Sequence, residues 1–365
     1  GTLPLRGAKE GVYVMKRALL YEFKRNLLPL GFFAAMAVVL CGIFPLIVDI
    51  ERGNYTYNSC LGMPTFVLAL LCTVLPIMQF SYRMQTRSVD LWYSLPVSRK
   101  QFTLVRLLVG LIVVFVAYTL GYWLCVAIVA ARAESPEFIW YLPMYAVSLV
   151  AAIGLFGVNS FLFTRANRVL DGILFLVGWT CILPLVVYYF GQFIVISGIG
   201  SRGESISLAE LNSFTFSYSA IVSSATFFDH LITGDGFENT LSVGFTLALV
   251  IAVLEAVAGY ILLFVYADRD KAENADQPSA SFWGYKTLIP VYTAMLLAVG
   301  DRVIGFIFGS SWVRIIYYAV IVLAAFVLYF VYRRSFRLKK CDLISLAASV
   351  AVGFILLFVL ERTII

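Results

Sequence analysis

Nine long apolar runs, separated by short polar stretches, dominate the pattern of hydrophobic and polar positions along the chain. Each run holds about the 20 mostly apolar residues that a helix needs to cross a bilayer. The pattern therefore predicts an all-α, polytopic integral membrane protein with about nine transmembrane helices. Gly300, Asp301 and Arg302 interrupt the seventh run, which leaves open whether it crosses completely. The runs lie near residues 27–48, 61–80, 104–131, 139–163, 169–197, 241–267, 287–308, 313–332 and 342–360.

A helical periodicity precedes the first run. From Met15 to Leu27, at about 100° per residue, apolar and basic residues gather on opposite sides of a helix. This pattern predicts an N-terminal interfacial helix on the lipid surface, and a charged flank of the first span is the alternative. Residues 1–14 precede Met15, which resembles a natural start, and we interpret them as a tag or an upstream extension. The apolar side holds Met15, Ala18, Leu19, Phe23 and Leu27, and the basic side holds Lys16, Arg17, Lys24 and Arg25.

The polar stretch from Arg87 to Arg106 contains two helix signals. Ser98 and Gln101 have the spacing of a capping box, with Val97 and Phe102 placed as a hydrophobic staple, which predicts a helix from about Arg99. Pro96 cannot continue a helix and pushes Leu95 out of the helical region. Ser88 to Ser94, with Asp90 in the acidic first turn, is therefore predicted as a short separate helix.

Composition and charge fit a membrane protein and predict its orientation. The chain is 61% hydrophobic and 13% charged, against about 25% charged in a soluble domain. With the N-terminus in the cytoplasm, 21 of the 27 basic residues fall in inner segments, as the positive-inside rule favours. The expected location is the cell (plasma) membrane, with the C-terminus outside. The basic residues cluster between spans, so we expect no nucleic acid partner.

Catalytic chemistry has little support in this sequence. Its one histidine, His230, cannot supply a metal site or an acid–base pair of imidazoles. No GxxxxGK[ST] motif occurs, so ATP is not expected to bind through a P-loop. We therefore expect no enzyme activity and no cofactor or metal in this chain.

The polar stretch resembles a known family. Asp90, the run SLPVSR from Ser94 to Arg99, and Phe102 are similar to the loop between the second and third spans of ABC-2-type (type V) ABC transporter permeases. An ordinary tight loop with a good helix cap is the alternative. The resemblance covers roughly residues 15–283, the six-span permease core, and leaves 284–365 as an additional three-span C-terminal segment. In this family the loop holds a coupling helix that docks on a cytosolic ATPase subunit.

The resemblance implies partners and site residues. The expected partners are cytosolic ABC ATPase subunits that bind ATP and Mg, a second permease subunit (identical or related), and the lipid bilayer. An apolar knob of Leu91, Trp92 and Leu95, oriented by Asp90 and Arg99, would dock on the ATPase. The implied ATPase-coupling residues are Asp90, Leu91, Trp92, Ser94, Leu95, Pro96 and Arg99.

Three further features carry open alternatives. Arg165 and Arg168, between the fourth and fifth runs, are a second ATPase contact or topology anchors. Glu255, in the middle of the sixth run, is a functional intramembrane carboxyl or a packing element beside small residues. Apolar residues scattered through the outer segment 199–240 predict short helices that dip toward the membrane or cover the bundle, and the segment resembles the outer re-entrant helices of the family.

The expected function is that of a permease subunit of an ATP-driven ABC transporter. Its substrate would be an exported drug, antimicrobial peptide or lipid-like molecule. A non-transporting membrane sensor or scaffold subunit of a cell-envelope stress complex is the alternative, because it would share the docking loop without a substrate path.

Overall fold

A computed structural model describes residues 15–47, 56–94, 97–132, 138–196, 218, 221–222, 227–228, 243–269, 272–279, 281–308, 311–333 and 338–364. Within these ranges the regular structure is entirely helical, with no strand. The α-helices are α1 (15–25), α2 (Leu27–Ile47), α3 (Thr56–Phe80), α4 (Thr86–Tyr93), α5 (Arg99–Arg132), α6 (Tyr141–Thr164), α7 (Val169–Ile196), α8 (Val243–Ala267), α9 (Tyr285–Phe308), α10 (Ser311–Arg333) and α11 (Lys340–Ile364).

Six of the described helices are long and apolar enough to cross a membrane. They are α2, α3, α5, α6, α10 and α11. Shorter apolar stretches lie in α7, α8 and α9 over residues 169–182, 252–267 and 285–300. The predicted all-α class and the multi-pass apolar character are therefore confirmed. Each predicted run corresponds to one helix, and the helix ends lie within a few residues of the predicted ends.

The helices fall into two compact units, Gly1–Thr164 with Phe216–Ala275, and Arg165–Thr215 with Asp276–Ile365. The first unit contains α1 to α6 and α8, and the second contains α7 and α9 to α11. The fifth apolar run thus packs with the C-terminal helices. The proposed boundary at residue 283 rests on the family resemblance and stays a prediction.

In the first unit, small residues bring helices close together. Gly121 of α5 lies against Ala37 and Cys41 of α2, and Gly154 of α6 lies against Ala256 of α8. Small residues at helix contacts are the usual means of close packing in membranes, where lipid is as apolar as the side chains.

In the second unit, α9 packs against α7, α10 and α11. A buried cluster at one end includes Ile289, Tyr329, Tyr332 and Leu346. Toward the other end, the Tyr189 hydroxyl of α7 donates to the Leu356 carbonyl of α11 at 2.9 Å. Tyrosine hydroxyls bonded to helix carbonyls satisfy their polar tips inside this apolar packing.

Several predictions fall on residues outside the described part. They include residues 1–14, Leu95 and Pro96, most of 199–240, and the side chains of Asp90 and Leu91. One backbone prediction was wrong: α4 begins at Thr86, two residues earlier than expected, so Asp90 follows the first turn and does not lie in it. The helix begins earlier because the amides of Ser88 and Val89 both donate to the Gln85 carbonyl.

Candidate coupling site

The predicted cap at the start of α5 is present. The Gln101 amide donates to Ser98 Oγ, and the Ser98 amide donates to Gln101 Oε1, each at 3.3 Å. This reciprocal pair is a capping box, and it fixes the first turn of α5 at Arg99. The sequence thus determines a short helix, a corner and a long apolar helix in succession.

Trp92 connects α4 to the first turns of α5. Its ring stacks on Phe102 with centroids 5.2 Å apart and meets Tyr82 edge-on at 6.2 Å. Tyr82 and Phe102 also contact each other edge-on at 5.4 Å. The three rings come from the segment between α3 and α4, from α4 and from α5, and they form one cluster in which Trp92 is half-buried. Whether Trp92 also docks on a partner stays a prediction.

The guanidinium of Arg106 lies among these rings. Its Cζ is 3.7 Å from the Tyr82 centroid, 4.7 Å from Phe102 and 4.8 Å from Trp92. Cation–π attraction in a desolvated position contributes about 2 kcal/mol or more. We call Tyr82, Trp92, Phe102 and Arg106 the aromatic box.

A buried carboxylate completes the site. Glu22 of α1 forms an ion pair with Arg106 at 3.4 Å, and both side chains are 1% exposed. Arg106 also donates to the Gln79 carbonyl at 2.5 Å. Glu22 also pairs with Arg25 of α1 at 3.0 Å. Removing charges from water is costly, so the buried Glu22 and Arg106 depend on these ion pairs and hydrogen bonds.

The same network reaches the junction of α1 and α2. Gln79 Nε2 donates to Asn26 Oδ1 at 2.8 Å, and Asn26 Nδ2 donates to the Glu22 carbonyl at 2.7 Å. Asn26 is the one residue between α1 and α2. The end of α3, the start of α5 and the α1–α2 junction are therefore held together by buried polar contacts, beside α4.

The segment after α8 lies against this corner. Residues Ala272–Asn274 form a single 3₁₀ turn that contacts α4, and Lys100 pairs with Asp268 at 2.8 Å. A shallow cleft remains between these parts, lined by Tyr82, Arg83, Trp92, Val97, Arg99, Phe102, Thr103 and Ala267. The exposed residues of the corner are Ser94, Ser98, Arg99 and Lys100.

Arg165 and Arg168 belong to a polar turn of the second unit. Arg168 donates from Nε to the Asp276 carbonyl at 2.7 Å and pairs with the Asp276 carboxylate at 3.0 Å. Asp276 has a left-handed φ of 62°, which acidic residues tolerate better than most, and its amide donates to the Asn167 carbonyl. Arg165 is buried, and its carbonyl accepts from Ser279. Their role as an ATPase contact stays a prediction.

Glu255 is half-buried on α8, next to the seam with α6. Gly259 lies against Val158, and a Cβ on Gly157 would come within 2.5 Å of the Tyr260 ring. The role of Glu255, as a functional carboxyl or as a packing element beside small residues, stays a prediction.

A second polar cluster involves Tyr218 from the predicted outer segment. Its hydroxyl hydrogen-bonds with Thr73 of α3 at 2.7 Å and accepts from Asn159 of α6 at 3.0 Å. Thr73 and Asn159 both lie in the C-terminal third of their helices. The described part of the segment thus reaches well past the N-terminal ends of α3 and α6, as a re-entrant segment would.

Sequence reasoning missed the buried pair of Glu22 and Arg106. Glu22 is three residues after Leu19 and four after Ala18, so it lies on the predicted apolar side of the interfacial helix. Arg106 follows Phe102 by one turn and stands between Val105 and Leu107. A charge on an apolar helix face is the signal that could have identified both residues.

In comparisons with known proteins, no family model, curated protein or solved structure matches this chain. The described residues also contain no cluster of three His, Cys, Asp or Glu side chains that could hold a metal. The arrangement in the first unit attaches α4 to the start of α5 and to the segment after α3 through aromatic rings and the Arg106 guanidinium.

Proposed function

We propose that this chain is the transmembrane permease subunit of an ATP-driven ABC transporter. It would export a drug, antimicrobial peptide or lipid-like substrate, with ATP and Mg bound by separate cytosolic ATPase subunits. The observation that carries the proposal is α4 itself: a short helix between two long apolar helices, attached to both through the aromatic box and the Glu22–Arg106 pair.

The proposed topology has nine crossings. Besides the six helices above, α7, α8 and α9 are 28, 25 and 24 residues long, which suffices for a bilayer. With the N-terminus in the cytoplasm of a plasma-membrane protein, the α4 corner is cytoplasmic and the C-terminus is outside. This orientation follows the positive-inside rule.

The mechanism uses the corner as a lever. A pair of permease subunits, identical or related, would bind two ATPase subunits, which close when they bind ATP. Closure would press on α4 and the exposed corner, and Trp92 would transfer the displacement to Phe102 and Arg106 of α5. Glu22 would carry it to α1, so that α3 and α5 tilt with the interfacial helix. This chain provides binding and movement, while the partner hydrolyses ATP.

The partner must bind beside the segment after α8, since Ala272–Asn274 already contacts α4. The exposed surface of Ser94, Ser98, Arg99 and Lys100 is the part of the corner that we propose for docking. Asp90, Leu91 and Leu95 complete the surface that the family resemblance implies.

Association with the ATPase tests this proposal. Reversing Asp90 to Lys together with Leu95→Asp should abolish co-purification of the ATPase subunit and leave membrane insertion intact. Trp312→Asp is the control, because Trp312 is an exposed residue at the opposite end of α10 from Arg333 and should leave co-purification unchanged. Unchanged co-purification of the ATPase by the double variant would disprove the docking assignment.

A second measurement separates the exporter from a sensor or scaffold subunit. In reconstituted vesicles, an exporter should show substrate-dependent stimulation of the partner's ATPase activity. A sensor or scaffold should associate with the ATPase and show no such stimulation.

A further inference from the structure

One end of the second unit carries an excess of positive charge. Here α7 and α9 begin, α10 ends and α11 begins. Among the described residues of 165–171, 276–286 and 332–342, basic side chains outnumber acidic ones six to three. The net charge of the described residues at this end is therefore positive.

The three acidic groups at this end are engaged within the unit. Asp342 accepts two hydrogen bonds from Arg333, at 2.6 and 2.8 Å. Asp171 accepts from the Tyr285 hydroxyl at 2.8 Å, and Asp276 pairs with Arg168. These carboxylates already have partners close by, so they are poorly placed to neutralise other cations.

Three lysines of this end, Lys286, Lys339 and Lys340, are exposed. Tyr285 and Leu338 pack against the same buried cluster, and each is the chain neighbour of one of these lysines. Lys286 and Lys339, far apart in sequence, are thus both next to residues that pack against one buried cluster. Lys340 follows directly as the first residue of α11.

Apolar surface adjoins the lysines. Leu343 and Ile344, one turn into α11, are exposed, as is Val331 near the end of α10. Phe282, before the start of α9, is exposed as well. Exposed lysines next to exposed aliphatic side chains match the two parts of a phospholipid, a charged headgroup and its acyl chains.

We propose that this surface, Lys286, Lys339 and Lys340 with the apolar residues beside them, binds an anionic glycerophospholipid. The lysines hold the phosphate of the headgroup, and the acyl chains lie along Val331, Leu343 and Ile344. Charge complementarity selects an anionic lipid over a zwitterionic one, because each Lys near a membrane surface strengthens binding of anionic headgroups severalfold. The inference depends on membrane embedding and does not depend on ATPase coupling.

The test measures lipid-dependent thermal stability of the purified full chain in detergent. Phosphatidylglycerol and phosphatidylcholine with identical acyl chains are titrated, and the shift in unfolding midpoint is recorded. Phosphatidylglycerol should raise the midpoint and phosphatidylcholine should have little effect. Changing all three lysines to Gln should increase the half-saturating phosphatidylglycerol concentration by at least about tenfold, since each lysine accounts for about a fivefold change.

Two control variants keep the test interpretable. Changing the same three lysines to Arg preserves the charges and should retain the response to phosphatidylglycerol. Changing Arg362, which is exposed at the opposite end of α11 from Lys340, to Gln should also retain it. If the triple Gln variant purifies poorly, K339Q/K340Q alone should still increase the half-saturating concentration.

Three outcomes would overturn the proposal. The triple Gln variant could respond like the original chain, the two lipids could stabilise equally, or the Arg variant could lose the response. Soluble glycerol phosphate provides a further arm, and stabilisation by it equal to that by the lipid would contradict a membrane source. Binding of an acidic segment of a protein partner in place of lipid would likewise contradict it.

Discussion

One arginine–carboxylate pair from each unit, Glu22–Arg106 in the first and Arg333–Asp342 in the second, can be compared, and the two pairs are built differently. Glu22 and Arg106 are both 1% exposed and meet through a single contact of 3.4 Å. Arg333 and Asp342, 22% and 8% exposed, form a bidentate pair with distances of 2.6 and 2.8 Å. The first pair depends on surrounding rings, whereas the second has good geometry and access to solvent.

The difference extends to the helices around the pairs. In the first unit, 50% and 67% of the residues in the most apolar stretches of α5 and α6 are buried. The corresponding shares for α10 and α11 in the second unit are 17% and 22%. Removing Arg106 from the first unit thus leaves a buried carboxylate with only the partly exposed Arg25 as its cation, while the same loss in the second unit leaves a charge near the surface. Position, more than pairing, sets the cost of breaking an ion pair.

The largest effect is expected for Arg106→Met. It removes the buried cation beside Glu22 and leaves only Arg25, which is 36% exposed and 3.0 Å away, to compensate this buried carboxylate, a loss of about 3 kcal/mol. The unfolding midpoint of the detergent-purified chain should fall steeply. The double variant Glu22→Gln with Arg106→Met should recover part of the loss, and an unchanged midpoint for Arg106→Met would refute the buried pair.

A smaller effect is expected for Gly157→Ala in the first unit. The added Cβ would lie 2.5 Å from the Tyr260 ring, whose hydroxyl is bonded to the Ile153 carbonyl and resists displacement. Overpacking of this kind costs about 1–3 kcal/mol. Gly31→Ala is the matched control, because nothing lies within 4 Å of its Cβ and the helix gains from alanine. Equal midpoints for the two variants would show that α6 and α8 pack less tightly than described.

Arg333→Gln should cost about 1–2 kcal/mol, less than Arg106→Met, because Asp342 keeps other stabilising contacts. Asp342 lies in the first turn of α11, where the helix dipole favours a carboxylate, and it accepts from the Lys339 amide at 3.3 Å. The same thermal assay measures this loss. A larger destabilisation than that of Arg106→Met would reverse the comparison between the two pairs.

The smallest effect is expected for Ile344→Ala, an exposed position on α11. Lipid is as apolar as isoleucine, so the substitution should change the free energy of unfolding by less than about 0.5 kcal/mol. The midpoint should match that of the original chain in phosphatidylcholine micelles. A loss of dimers on size-exclusion chromatography would instead show that a second permease subunit covers this face.

The sequence predicted local features well wherever one residue acts on its near neighbours. The capping box of Ser98 and Gln101 and the start of α5 at Arg99 both follow from spacing within a single turn. The positions of the long helices followed from runs of apolar residues for the same reason. The predicted start of α4 was less accurate, since Gln85, whose carbonyl accepts the first helical hydrogen bonds, gives no strong sequence signal for a cap.

Contacts between distant residues could not be predicted in the same way. The pairing of Glu22 with Arg106 joins α1 to α5, and the cluster of Tyr218 with Asn159 joins two parts of the chain 59 residues apart. Helical periodicity indicates which face is polar, but it does not identify the helix that the face will meet. The docking role of Asp90, Leu91 and Leu95 depends on a partner and stays a prediction.

The placement of α7 in the second unit has a consequence for biosynthesis. Its neighbour α9 leaves the ribosome only after residues 197–284 have been made, a delay on the order of 4 to 18 s at about 5–20 residues per second, and α11 follows later still. During that interval α7 enters the bilayer before either neighbour is available. The nascent chain must therefore shield this helix with lipid or an insertion factor until translation ends.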